Sequence, residues 1–213
     1  MIQNHVLNLL QVILITDTLA IHISFIWISS MFSKNMLMGV ALSLSLSGTA
    51  FANTMPQATP QAIEKLDVER YMGKWHEIAR LPASFQKKCV GDVTAQYSLN
   101  TDQSVKVVNT CRTKEGVLES TEALAKAVNE GKSKLKVSFL PKGLRWLPFT
   151  KGDYWVLRID DSYNTVLVGG KSTKYLWILS RSPQIDDATY QSYLNTAKQQ
   201  GYDISKVVRT KNN

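Results

Sequence analysis

Histidine and cysteine, from which many catalytic and metal sites are built, are scarce in this chain. Only three of its 213 residues are histidine and two are cysteine. His76 is the only histidine beyond His22, so the sequence offers neither a set of histidine metal ligands nor the partners of a histidine-based triad. No pair of acidic residues stands out as a general acid and base. We therefore expect a protein that is not an enzyme and that carries no metal and no cofactor.

The chain also lacks the clustered positive charge that typifies nucleic-acid-binding proteins. Its 25 Lys and Arg residues outnumber 17 Asp and Glu residues, which gives a formal net charge of +8. The lysines are scattered along alternating positions and form neither a helical stripe nor a basic tail. We expect no nucleic acid partner, because this surplus of charge suits a solvated exterior or an anionic membrane surface.

The first fifty residues have the character of an export leader. From Met31 the chain has a charged start, an apolar run over residues 36–46 and small residues up to Ala52, which is the pattern of a secretory signal peptide cleaved after Ala52. The leader, residues 1–52, then divides into a signal peptide over 31–52 and a segment, 1–30, that need not be translated. If Met1 is the start instead, the apolar run over residues 6–28 is long enough to anchor the chain in a membrane.

No cysteine lies near the expected cleavage site, so the chain lacks the residue to which lipoprotein processing would attach a lipid. We expect the exported protein to be periplasmic. It would comprise an extended tail over residues 53–65, which contains Pro56 and Pro60, and one domain over residues 66–213. Both cysteines, Cys89 and Cys111, fall in this domain. Export and a hairpin centred on residues 100–103 favour a disulfide between them, worth roughly 3 kcal/mol.

Alternating apolar and polar residues predict strands along most of the domain. The pattern is clear at residues 93–99, 105–111, 134–139, 154–159, 165–169 and 175–180, whereas residues 119–128 could also form a helix. A cap at Asp186 and a stop at Gly201 bound one helix over residues 187–200, before a last strand at 206–210. Short strands at this spacing predict an all-β fold, either a closed antiparallel barrel or a sandwich.

Two distant segments indicate how such a barrel would close at one end. Gly73 and Trp75 open the first strand, and Arg181 follows the strand at residues 175–180. A guanidinium lying over the indole would contribute on the order of 0.5–2 kcal/mol and would seal that end. We therefore assign Gly73, Trp75 and Arg181 to barrel closure.

Three short motifs, in order, carry a family resemblance. They are residues 73–80 beginning Gly-Lys-Trp, the turn with Asp160, Asp161 and Tyr163, and residues 179–181, Leu-Ser-Arg. The chain resembles a lipocalin, most closely the bacterial outer-membrane lipocalins. The resemblance implies an eight-stranded antiparallel up-and-down β-barrel with one C-terminal α-helix packed on its side. It also implies binding, storage or transport of a fatty acid or lysophospholipid in the barrel, linked to outer-membrane lipid maintenance.

Strand alternation selects the side chains expected to face the ligand. If Trp75 faces inward, the period of two places ten residues on the inner surface: Ala95, Tyr97, Val107, Asn109, Val137, Phe139, Trp155, Leu157, Tyr175 and Trp177. Periodicity does not distinguish a hollow interior from a solid core, and the cavity is implied by the resemblance alone.

The loop after residue 139 mixes apolar and basic residues. Trp146 and Phe149 alternate with Lys142 and Arg145, so the loop could touch an anionic membrane or could cover part of the barrel as a small core. We expect the protein to be soluble or peripheral at the outer membrane, since the anchor cysteine of its bacterial relatives is absent.

Two other classes of function stay open. Some lipocalins act as isomerases through a pocket thiol, and Cys89 follows two lysines that could activate a thiol in a lipid-modifying enzyme. Alternatively, the loops at the barrel mouth could bind or inhibit another protein.

Overall fold

The computed structural model describes residues 58–147 and 150–213. The expected leader, residues 1–52, and Phe149 lie outside this range. Residues 58–65 have neither helix nor strand. The described elements are α1 Val68–Tyr71, β1 Gly73–Arg80, β2 Cys89–Leu99, β3 Val105–Thr113, β4 Leu118–Ala127, β5 Lys134–Ser138, β6 Gly152–Ile159, β7 Thr165–Gly169, β8 Trp177–Ser180, α2 Asp187–Gln199 and β9 Val208–Arg209.

Within the described residues the strands form one antiparallel sheet that closes on itself. The order is β2-β3-β4-β5-β6-β7-β8-β1-β9, and β1 also pairs with β2, so β1 to β8 make an eight-stranded barrel. β9 is an extra strand paired with the far half of β1. This confirms the predicted up-and-down barrel with a C-terminal helix, although β9 is shorter than the expected 206–210.

Residues 119–128, for which the sequence left open a strand or a helix, lie almost entirely in strand β4, and their small residues explain why. Ala123 and Ala125 on β4 are buried inside the barrel opposite Val107 and Val105 of β3, while the alternating residues between them are more exposed. Alanine and leucine suit a helix by propensity, but the period of two decides here because one face is buried and the other is wet.

The buried apolar residues form two separate clusters, one on each side of the barrel wall. The inner cluster contains Trp75, Tyr97 and Val107. The outer cluster lies between the wall and α2, and contains Leu157, Ile178 and other residues of the wall and helix. Membership of a cluster therefore shows which way a strand residue faces.

β6 is buried on both faces, and there the predicted facing is wrong for two residues. Tyr154 and Val156 belong to the inner cluster, whereas Trp155 and Leu157 pack in the outer cluster. A β-bulge between Val156 and Arg158 shifts the register against β7. Alternation could not choose the face, because β6 packs against the barrel interior on one side and against α2 on the other.

α2 begins as the sequence predicts. The Asp186 carboxylate accepts a hydrogen bond from the Thr189 amide at 2.8 Å and caps the helix. Tyr190, Tyr193, Leu194 and Ala197 form its buried stripe. Arg158 lies outside the barrel, where it donates a hydrogen bond to the Ser192 carbonyl at 3.0 Å and holds the helix against the wall.

The Arg181 guanidinium closes the barrel end where β1 begins. Its carbon lies 3.9 Å from the centroid of the Trp75 ring. Its nitrogens donate to the carbonyls of Lys74 at 2.9 Å, Arg70 at 2.8 Å and Tyr163 at 3.3 Å. The cation therefore ties three segments together over a fully buried indole.

Gly73 is required by this closure. Its φ is +98°, which L side chains rarely adopt, and a Cβ there would lie 3.2 Å from an Arg181 nitrogen. The indole nitrogen of Trp75 donates in turn to the Tyr71 carbonyl at 2.9 Å, so α1 is drawn across the barrel end.

Replacing Arg181 with lysine should lower the free energy of unfolding by about 2–4 kcal/mol, because lysine keeps the charge but loses the flat contact and the three-way donation. Urea titration measures the change. Arg209→Lys is the matched control, since Arg209 also lies 3.9 Å from an aromatic ring, that of Tyr190, but half of its side chain is exposed. We expect a loss under about 1 kcal/mol there; equal losses would contradict the assigned role.

The predicted disulfide is present between Cys89 and Cys111, with Cα atoms 5.5 Å apart and a sequence separation of 22 residues. Replacing both cysteines with alanine should lower the free energy of unfolding by about 3 kcal/mol, because the unfolded chain regains the entropy of the open loop. Urea unfolding of the variant and of the oxidised wild type measures this loss. An unchanged midpoint would mean that the bond does not stabilise the barrel.

Candidate functional site

The inner surface of the barrel brings together most of the residues predicted to line it. Cross-strand pairing places Ala95 opposite both Trp75 and Asn109, and Tyr97 opposite Val107, so these residues share one face. Ala95, Tyr97 and Val107 are buried in the inner cluster. Val137 and Trp177 pack against that cluster from β5 and β8.

The inner surface is more accessible toward the other end of the barrel. Trp75, Tyr71 and Tyr97 are buried near the closed end, whereas Val137, Tyr154 and Trp177 are only partly buried although strands surround them. Asn109 is likewise partly buried. Partial exposure at this end is what we expect of a hollow interior, since a solid core would cover these side chains.

Phe139 and Tyr175 lie at the edge of the barrel and not within its strands, which corrects their predicted positions. β5 ends at Ser138, and Phe139 is 50% exposed. β8 begins at Trp177, and the Tyr175 ring stacks on Trp177 with centroids 5.9 Å apart. The sequence predicts both strands to be longer than they are, because aromatic residues continue the apolar–polar alternation into the loops.

We call the loops at the open end the rim: residues 81–88, 114–117, 139–147 with 150–151, and 170–176. The rim exposes large apolar side chains, among them Phe85 at 57% and Trp146 at 72%. It also carries the exposed lysines Lys87, Lys142, Lys151 and Lys174. Arg145 donates to the Leu140 carbonyl at 2.8 Å and braces the loop that holds Trp146. Trp146 itself therefore takes no part in a small core of this loop.

A hydrogen-bonded link joins the rim to the inner surface. The Trp177 indole donates to Gln86 at 3.0 Å, and the Gln86 amide donates to the Glu77 carboxylate at 2.9 Å. Glu77 is almost fully buried, and burial raises the pKa of its carboxyl group. This link holds the loop over residues 81–88 against β1 and β8.

Three tyrosine hydroxyls meet within the barrel, between the closed end and the partly accessible region. The hydroxyl oxygen of Tyr154 lies 2.6 Å from that of Tyr71 and 2.9 Å from that of Tyr97. Enclosure raises the pKa of Tyr97 to about 12 and raises the pKa of Tyr71 and Tyr154 well above the usual value. All three hydroxyls therefore stay protonated at physiological pH.

Sequence reasoning found only Tyr97 of these three. An inward Trp155 implies an outward Tyr154, which is the wrong face of β6, and Tyr71 belongs to the short helix α1, where strand alternation does not apply. The sequence feature that could have identified Tyr71 is its position two residues before Gly73. This position brings its ring against that of Trp75, with centroids 5.0 Å apart.

The enzyme alternative requires a free thiol at Cys89. Both cysteines form the disulfide, so Cys89 does not present a thiol. Over residues 58–147 and 150–213, no group of three His, Cys, Asp or Glu side chains could hold a metal ion. Nor does that part of the chain contain a helix long and apolar enough to cross a membrane.

Comparison with known structures supports the fold. Insecticyanin from the tobacco hornworm Manduca sexta superposes with a TM-score of 0.56 at 22% identity, covering 73% of this chain and 87% of that chain. At this level of identity the likeness concerns the fold alone.

Sequence comparison finds relatives of higher identity. Temperature-induced lipocalin-1 of Arabidopsis thaliana is 43% identical over 153 residues, covering 70% of this chain and 81% of that protein. The outer membrane lipoprotein Blc of Escherichia coli K12 is 35% identical over 161 residues, covering 75% of this chain and 86% of that protein. A family model described as a lipocalin-like domain matches residues 66–212. The barrel sealed by Trp75 and Arg181 is thus that of a lipocalin, and the chain belongs to the lipocalin family.

Proposed function

We propose that this protein binds and carries a small hydrophobic or amphiphilic ligand, a fatty acid or a lysophospholipid, in its barrel. Small hydrophobic ligands are what its lipocalin relatives bind. The observation that carries the proposal is the set of apolar inward-facing side chains, Val137, Tyr154 and Trp177, which stay partly accessible between a sealed end and an apolar rim. An elongated apolar chain fits such a surface better than a polar metabolite does.

The ligand-facing residues we propose are Ala95, Tyr97, Val107, Asn109, Val137 and Trp177, joined by Tyr154. Phe139 and Tyr175 would contact the ligand only at the rim. Trp155 and Leu157 are withdrawn from the set because they face α2. Each methylene group buried on this surface would favour binding by roughly 0.8 kcal/mol before the costs of association, so affinity should rise with chain length.

We further propose an exported, periplasmic protein that meets the outer membrane peripherally, in keeping with its likeness to an outer membrane lipoprotein. Trp146 would enter the headgroup region, while Lys142 and Arg145 would face lipid phosphates. The rim is both the route into the barrel and the apolar, basic end of the molecule, so contact there would pass a ligand directly between membrane and barrel. Binding, not catalysis, is the proposed activity, because the thiol required for the enzyme alternative is oxidised.

Filling the inner surface should weaken ligand binding without unfolding the barrel. We expect Val137→Trp to weaken displacement of the fluorescent dye N-phenyl-1-naphthylamine by hexadecanoic acid at least about tenfold, because the larger side chain occupies the space of several methylene groups. Val108→Trp is the matched control, since Val108 belongs to the outward-facing set of β3.

Equal affinities of the two variants for hexadecanoic acid would contradict a ligand site at Val137. No saturable dye binding by the wild type would reject the proposed function altogether. Thermal unfolding of both variants checks that each barrel is folded.

Membrane contact should depend on rim charge. We expect Lys142→Glu to weaken co-sedimentation with phosphatidylglycerol vesicles about tenfold, because it replaces attraction by repulsion at the lipid surface. Lys65→Glu is the control, as Lys65 is an exposed lysine just before α1, at the closed end of the barrel. Equal effects of the two changes would mean that net charge, and not the rim, governs binding.

A further inference from the structure

The three tyrosine hydroxyls inside the barrel have one proton more than their mutual bonds can use. Tyr154 stands between Tyr71 and Tyr97, so the group contains two hydroxyl–hydroxyl hydrogen bonds. Each bond consumes one proton, and three hydroxyl groups carry three protons. Whichever oxygen donates in each bond, one O–H is left over.

The described residues provide no other acceptor for that remaining proton. Across residues 58–147 and 150–213, the hydrogen bonds of these hydroxyls run only among the three tyrosines. The surroundings are apolar, with Trp75, Val107 and Val156 in the same cluster. A buried donor without a partner is unfavourable, so this position favours a molecule that brings an acceptor.

The acceptor would be uncharged. Arg181 is the cation whose charge acts on this site. Its charge lowers the pKa of both Tyr71 and Tyr97, although burial raises both values by more. Its nitrogens, however, already donate to three backbone carbonyls at the barrel end. Arg181 makes no hydrogen bond to the three hydroxyls, and a carboxylate drawn to this depth would lose its hydration at a large cost in free energy.

We propose that Tyr71, Tyr97 and Tyr154 form a donor site for a neutral oxygen, such as a carbonyl, ester or hydroxyl group, at the inner end of the bound chain. The inference rests on the proposed function, since it requires a ligand in the barrel. Among such amphiphiles, the site favours those whose apolar chain also carries a neutral oxygen at the end that enters first. A charged group at the opposite end would remain at the rim, beside Lys87, Lys142 and Lys174.

A matched pair of ligands tests this site. Tetradecan-2-one carries a carbonyl oxygen, and 1-chlorotetradecane has the same number of heavy atoms but a far weaker acceptor. Displacement of N-phenyl-1-naphthylamine gives the affinity of each. The variant is the triple change Tyr71→Phe, Tyr97→Phe and Tyr154→Phe, which removes all three hydroxyls together and leaves no buried hydroxyl without a partner. The control is Tyr190→Phe on α2, in the outer cluster and outside the barrel.

We expect the triple variant to lose about tenfold in affinity for the ketone, because the buried carbonyl loses its donor, and less than about twofold for the chloroalkane. Tyr190→Phe should leave the ratio of the two affinities unchanged. An unchanged ratio in the triple variant, with both ligands bound, would overturn the donor site while the carrier function stands. Failure of both ligands to bind the wild type would overturn the carrier function and the donor site together.

A measurement on the wild type covers the case in which the triple variant does not fold. The infrared C=O stretch of tetradecan-2-one, labelled with carbon-13 at the carbonyl, reports hydrogen bonding to the oxygen. When the ketone is bound, we expect the band at lower frequency than in hexane. A bound ketone whose band stays at the hexane position would overturn the inference.

Discussion

The contact between the Arg181 guanidinium and the Trp75 indole is the constraint on which the rest of this molecule depends. It joins the start of β1, the end of β8 and the turn after β6, which are far apart in sequence. Because one cation satisfies three backbone carbonyls, the barrel end is sealed without a large core. Gly73 has no side chain, so the guanidinium can approach the backbone there.

Because one end is sealed, the two ends of the barrel differ in structure. Trp75 is fully buried whereas Val137 and Trp177 are only partly buried, and the loops beyond them expose aromatic and basic side chains. The same strands therefore present a buried wall at one end and an accessible apolar surface at the other. The tyrosine hydroxyls lie where these two regions meet, and they add the only hydroxyl–hydroxyl network found in the described part of the inner cluster.

Features that depend on local residue patterns or short motifs could be predicted from the sequence. Alternation identified β2, β3 and β5, the cap at Asp186 fixed the start of α2, and the pairing of Cys89 with Cys111 followed from counting across a hairpin. Alternation did not predict which residues of β6 face inward. Both faces of β6 are apolar, because one packs against the barrel interior and the other against α2. A bulge there breaks the period of two, and nothing in the residues themselves marks its position.

Native mass spectrometry of the protein purified from its own cells tests the central claim most directly, since it weighs the chain and anything held inside it together. The account predicts a single non-covalent amphiphile per chain, removed when the barrel is unfolded. A folded protein that is free of ligand, and that takes up none when mixed with fatty acids and lysophospholipids, would contradict it.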